Sequence, residues 1–268
     1  MIDSLTKLLT ANSLEPDSFM PTDAEEGMFR AEVPAGQVLR TWMNLAKGAA
    51  ETKYWPIIRG GAEERHEQKE RDPLEIIAAA PVGNIREILR GRFEERRESL
   101  VQFMPEFGDA ADMDQLAALA DASGVYSFGG RRAAEEWPTE RADSDRVKLH
   151  TLNDRKGQPT VMLLIRLEHS WEVPAYLEFG GWNDCPAPEL QVAALREWRN
   201  EYRAVPAAVT GDVLECMVIN RPQTEAAAMK LAAEQWIFCD DIVGQGTQSV
   251  RKLAMEIWKK PSWFFWWD

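Results

Sequence analysis

The sequence predicts an α+β fold: a mixed, largely antiparallel sheet with helices packed on it and the C-terminal strand in the core. Three observations carry this. In residues 151–268 the elements read strand, strand, helix, strand, strand, helix, helix, strand, so strands outnumber the helices that could link them, unlike a doubly wound sheet. In PAAVTGDVLECMVI (206–219), two apolar runs flank Gly211-Asp212, a tight turn that makes them antiparallel neighbours. The sequence ends on PSWFFWWD (261–268), whose unbroken WFFWW reads as a core strand. Five exposed rings there would be an aggregation hazard.

From the N-terminus, residues 2–10 form a short helix with Ile2, Leu5, Leu8 and Leu9 on one face. GMFRAEVPAG (27–36) alternates as a strand, and the following helix buries Val38, Trp42 and Leu45. YWPIIRG (54–60) is a strand that Pro56 assigns to the start or edge of a sheet. AEERHEQKERD (62–72) is a solvated charge run in which His66 and Glu70 are four apart, one pair and no metal site. NIREILRGRFEERRESLVQFM (84–104) holds a helical apolar period, and Arg90, Arg92, Arg96 and Arg97 sit among glutamates as a salt-bridged surface. DMDQLAALADASG (112–124) is a helix stopped by glycine. Residues 127–146 carry Gly-Gly, Pro and many charges, and read as a linker or long loop onto which Trp137 packs back. The organisation expected is therefore an N-terminal α/β region (1–126), a linker or long loop (127–150) and an α+β domain (151–268).

In that last part TVMLLIRL (160–167) is a buried strand, and WEVPAYLE (171–178) alternates as a strand with one wet face. PELQVAALREWRNEY (188–202) is a helix, 206–219 the hairpin, and TEAAAMKLAAEQWIF (224–238) a helix capped by Thr224. SVRKLAMEIW (249–258) is the last helix before the terminal strand, with Thr247 or Ser249 as its cap. Glu215 shares a strand face with Val213, Met217 and Ile219, and is expected on a wet face.

Composition narrows the function. The chain has 268 residues, is 45% hydrophobic and carries a net charge of −13. Residues 1–150 hold 19 Lys/Arg against 28 Asp/Glu, and 151–268 hold 12 against 16, so no half is basic as a nucleic-acid binder would be. VMLLI and WFFWW each cover only ~17 Å as strands, too short for a membrane, and MIDSLTKLLT lacks a secretory-signal pattern. Three widely spaced cysteines without CxxC argue against a disulfide scaffold or structural zinc and fit a cytoplasmic protein.

WEVPAYLEFGGWNDCP, LREWRNEY, VTGDVLECMV, AAEQWIFCDDIVGQGTQSV and the final PSWFFWWD, in that order, resemble the DUF4253 family over about residues 158–268. VPAGQVLRTW and YWPIIRG extend the resemblance weakly into the first half. The family is one of unknown function, so the resemblance implies a bacterial-type soluble protein and assigns no reaction or catalytic residue.

The most chemical segment is FGGWNDCP (179–186), where Trp182, Asn183, Asp184 and Cys185 follow a flexible Gly-Gly. It suits a ligand loop or an ordinary strand-to-helix turn. Asp240 and Asp241, from a turn, together with Trp266 and Asp268, complete the expected ligand- or partner-binding set. No catalytic residues, metal or cofactor are expected, and nothing places His150 or His169 beside Cys185 as a base. The reading is a non-enzymatic binding protein, of the immunity or antitoxin kind, taking a basic protein partner. The alternative is a small-molecule-binding domain or enzyme with a pocket from the 180–185 loop, the 239–241 turn and the terminal aromatics.

Overall fold

β-branched and aromatic runs from both halves of the chain meet in one sheet. The computed structural model of the protein describes residues 2–14, 20–21, 28–60, 70–126, 136–143, 147–153 and 158–268; His66 and part of 127–146 lie outside them. The strands are β1 (Met20–Pro21), β2 (Met28–Val33), β3 (Tyr54–Gly60), β4 (Thr160–Arg166), β5 (Ala204–Val209), β6 (Val213–Val218) and β7 (Ser262–Trp266). Their spatial order is β1-β2-β4-β3-β5-β6-β7. Every neighbouring pair is antiparallel except β3 and β5, which run parallel with Ile58 opposite Ala208. The sheet is thus mixed and largely antiparallel.

Helices cover both faces. They are α1 (Ile2–Ala11), α2 (Val38–Thr52), α3 (Pro73–Ala79), α4 (Ile85–Ile88), α5 (Arg90–Val101), α6 (Met113–Ser123), α7 (His150–Asn153), α8 (Val173–Leu177), α9 (Pro188–Tyr202), α10 (Glu225–Phe238) and α11 (Val250–Lys259). On one face Leu5, Leu9, Trp42 and Leu45 pack against Val33, Ile58, Met162 and Leu164. On the other, side chains of α4–α6 and α9–α11 pack against Ile57, Leu163, Ile165 and the odd-numbered aromatics of β7. Caps fall where short polar side chains precede a helix: Asp72, Asn84, Asp112, Thr224 and Ser249 each accept a first-turn N–H. Thr247 does not cap; its hydroxyl bonds to the Ile242 and Ser249 carbonyls.

Four expectations about the elements change. Residues 171–178 are helical, not a strand: a 3₁₀ turn at Ser170–Glu172 leads into α8. Glu172 accepts the Glu168 and His169 N–H groups, and Pro174 enters the first helical turn, where its missing N–H costs nothing. The second half therefore runs β-α-α-β-β-α-α-β, apart from α7. Pro56 does not mark an edge, because β3 lies between β4 and β5. Side chains reinforce the thin parallel seam: the Trp55 indole donates to the Pro206 carbonyl at 2.9 Å, and Arg59 to the Val209 carbonyl at 2.8 Å. The helix expected over 84–104 breaks at Leu89 and ends at Val101; Met104 is extended, as the residue before Pro105 should be. Finally, β7 is an edge strand and its burial alternates. Trp263, Phe265 and Trp267 are buried, whereas Phe264 and Trp266 are half-buried.

Candidate functional site

The loop after α8 is held in shape by its glycines. Gly180 has φ +118°, and a Cβ there would lie 2.0 Å from the Pro186 carbonyl oxygen. The Gly181 N–H donates to the Cys185 and Pro186 carbonyls at 3.2 Å. Trp182 packs edge-on against Phe179. The turn presents Asn183 and Asp184 to solvent and buries Cys185, whose thiol burial pushes up to about 12. Cys216 and Cys239 are also free and buried, with thiols raised by desolvation. These are thiols, not thiolates, at neutral pH.

Asp184 is the hub of an ionic clasp. Its carboxylate takes Arg92 at 2.8 Å and Arg96 at 3.0 Å, and its carbonyl also accepts from Arg92. Arg96 reaches on to Asp240 at 3.1 Å. The other Asp240 oxygen accepts the Tyr126 hydroxyl at 2.7 Å and the Trp236 indole N–H at 2.8 Å. Burial and the adjacent Asp240 both hold the Tyr126 phenol protonated far above its ordinary range. Asp241, next along the turn, accepts the Asp268 N–H at 3.1 Å and the Gln245 amide, while Asn183 donates to the Asp268 carbonyl at 2.8 Å. The loop, the 240–241 turn and residue 268 therefore meet. Among the described residues no three His, Cys, Asp or Glu side chains are placed to hold a metal.

Trp266 stands apart from this group, its indole donating to Asp212 at 3.0 Å. It lines a cavity of about 630 Å³ that wraps the outer edge of β7. The cavity is bounded by the six-residue π-helix Ile242–Thr247, by α11, by Gln235 of α10 and by His150 of α7. π-helical turns of this kind recur at functional sites. Asp241 belongs to both cavity and clasp. The His150 ring lies 4.4 Å from that of Phe264. Glu215, expected on a wet face, is fully buried. It accepts the His150 N–H at 2.7 Å, the Thr151 N–H at 2.8 Å and the Thr151 hydroxyl at 2.6 Å, and so fixes α7 over the strand edge. A second, more polar hollow of about 710 Å³ lies between α2, β3 and α9.

Sequence reasoning missed Arg92, Arg96, Tyr126, Gln235 and His150 as neighbours of this region. The spacing of the arginines predicts pairing with nearby glutamates; Arg97–Glu94 does so, but Arg92 and Arg96 bond partners across the fold. The available signal was three aspartates, 184, 240 and 241, in apolar surroundings that call for cations.

Residues 161–268 match a family model described as Domain of unknown function (DUF4253). Neither the curated proteins nor the solved structures compared with the chain provide a match. The matched segment supplies the 180–185 loop, both turn aspartates and the aromatic strand, whereas the arginines, Tyr126 and His150 come from residues before it. From β4 to the last strand, then, the chain is similar to the DUF4253 domain.

Proposed function

We propose that this protein binds a ligand without transforming it, and that its binding site is the cavity along β7. The observation that carries this is the cavity itself, about 630 Å³ walled by Leu253, Ile257, Phe264 and Trp266 and bounded by a π-helical turn. A concave, largely apolar hollow of this size with a few polar groups at its rim is the form that small-molecule sites take. Binding over turnover is supported by where the strong chemistry sits. The cysteines are desolvated thiols, Asp184 and Asp240 are each paired with arginine, and Glu215 is consumed by three donors. In this reading the clasp sets the shape of the loop and turn, and the cavity does the recognising.

The test is a small-molecule screen on the full chain by thermal shift, repeated on Phe264→Ala and on Asp184→Ala. Hits that vanish with Phe264→Ala but persist with Asp184→Ala support the cavity. Hits that follow Asp184 would move the site to the clasp. A second reading, a basic protein partner of the immunity or antitoxin kind in a reducing cytoplasmic setting, is favoured by the net charge of −13. Salt-sensitive capture of a basic protein by the purified chain would support it.

A further inference from the structure

We infer that the cavity along β7 takes a short extended peptide, which adds to the edge of the sheet antiparallel to β7 and carries a positive charge towards its N-terminal end. This deepens the binding reading above and rests on it. The first argument is the open ladder. The β6–β7 register is unbroken, and at its two ends the Val218 N–H donates to the Pro261 carbonyl and the Trp267 N–H to the Asp212 carbonyl. In an antiparallel pair alternate residues bond across, so the odd-numbered residues of the strand turn to β6. Ser262, Phe264 and Trp266 then direct their N–H and C=O groups outward, as the Trp266 carbonyl does in accepting the Cys239 thiol at 3.1 Å. Among the described residues nothing bonds the outward backbone groups of Ser262 and Phe264.

The second argument is room. The cavity runs along this outer edge, with Leu253 and Ile257 of α11 on one face of the sheet and His150 beside Phe264 on the other. A chain lying there meets ladder groups in its own plane and apolar side chains on either side, the arrangement of strand addition. A second copy of this edge does not fit. The 239–241 turn stands outside the strand, with Cys239 on the Trp266 carbonyl and Asp241 on the Asp268 N–H. That turn holds off another sheet, whereas a single chain enters beside Ser262 and Phe264.

The third argument is charge, which changes sign along the edge. Where β7 begins stand Lys259 and Lys260, the latter bonded to Glu256 at 2.8 Å, and Arg221, which bonds the Lys259 carbonyl and has Asp143 near it. Where it ends stand Asp212, Asp241 and Asp268, and among the described residues no lysine or arginine pairs with any of the three. Arg92 and Arg96, the nearest cations of the clasp, are bonded to Asp184 and Asp240 instead. A strand antiparallel to β7 brings its N-terminal end to these aspartates, so a cation there is attracted and an anion repelled.

The experiment uses the full chain and the peptide acetyl-Lys-Val-Thr-Val-Thr-amide, with calorimetry reading its binding. Two forms, each N-methylated at one of two adjacent middle residues, probe the ladder, because only one of two neighbouring N–H groups points at β7. One should bind like the parent and the other about tenfold more weakly. Glutamate in place of the lysine should weaken binding about tenfold. Ser262→Pro acts from the protein side: Ser262 is the first residue of β7 and its N–H takes no part in the β6 ladder, so the variant should keep its melting temperature and bind the parent about tenfold more weakly. N-methylated forms of equal affinity, a folded Ser262→Pro variant that binds as wild type does, or no binding of the parent peptide overturns the strand addition. Small-molecule hits lost with Phe264→Ala would still uphold the cavity. A glutamate peptide that binds as tightly overturns the orientation, and a protein dimer that dissolves in Ser262→Pro gives the edge to a second copy and overturns the peptide.

Discussion

Trp266 and Trp267 are adjacent in sequence and opposite in consequence. Trp267 is 1% exposed among Phe179, Phe238 and Phe265, so Trp267→Ala should cost about 3–5 kcal/mol in a urea melt. Trp266 is half-buried with its indole on Asp212, so Trp266→Ala should cost nearer 1 kcal/mol. Equal costs would contradict the alternation along β7. Glu215→Ala removes the acceptor of three part-buried donors of residues 150–151, each bond worth about 1 kcal/mol. It should therefore destabilise strongly, and wherever the variant folds it should release His150 from Phe264. A carboxylate among apolar strand neighbours was a visible anomaly in the sequence. Its burial was not, because the groups that satisfy it lie about 65 residues upstream.

Short elements were the least legible. α9 and α11 follow from helical periodicity, and α10, which is buried on all sides over its second half, from its apolar composition and its Thr224 cap. By contrast WEVPAYLE alternates by chance; Pro174 was the better guide, because an N-terminal proline starts a helix more readily than it sits inside a ladder. The meeting of 183–184, 240–241 and 268 could be guessed from their residue types, but Arg92 and Arg96 could not, since helix periodicity says which face they occupy and not what faces them. Two predictions belong at this scale. Gly180→Ala places a methyl where the Pro186 carbonyl already is, in a backbone conformation that L-residues avoid. The variant should lose several degrees of melting temperature and become protease-sensitive between 179 and 187. Removing 261–268 deletes three buried rings, about 5–9 kcal/mol before any discount for a compact unfolded state. Against a typical total of ~5–15 kcal/mol, that should leave the chain insoluble or molten. A soluble, cooperatively melting truncation would show that β7 is dispensable to the core.

At the scale of the molecule, Arg86 ties α4 to α6 and α10 by bonding Asp114 and the buried Glu234. Burial pushes the Glu234 carboxyl above the usual carboxylate range, with Arg86 opposing. The folded state then holds this proton more tightly than the unfolded one. The group's contribution to stability is greatest at acid pH and falls as pH rises through the raised value. Glu234→Gln removes that slope. Wild type should therefore gain on the variant as pH is lowered from 7 towards 5 in parallel urea melts, and pH curves that stay a constant distance apart would refute this. The fold class was readable from the hairpin at Gly211-Asp212 and the terminal aromatics, but the strand order was not. Nothing local tells β3 to sit between β4 and β5. That insertion sets a timetable for synthesis. β2 and β3 are complete by Gly60, but the strand that lies between them begins only at Thr160, roughly 100 residues later. At ~5–20 residues per second the ribosome needs about 5–20 s to deliver it. For that interval two apolar strands wait side by side without their common neighbour, and whatever shields nascent chains in the cell has to hold them apart until it arrives.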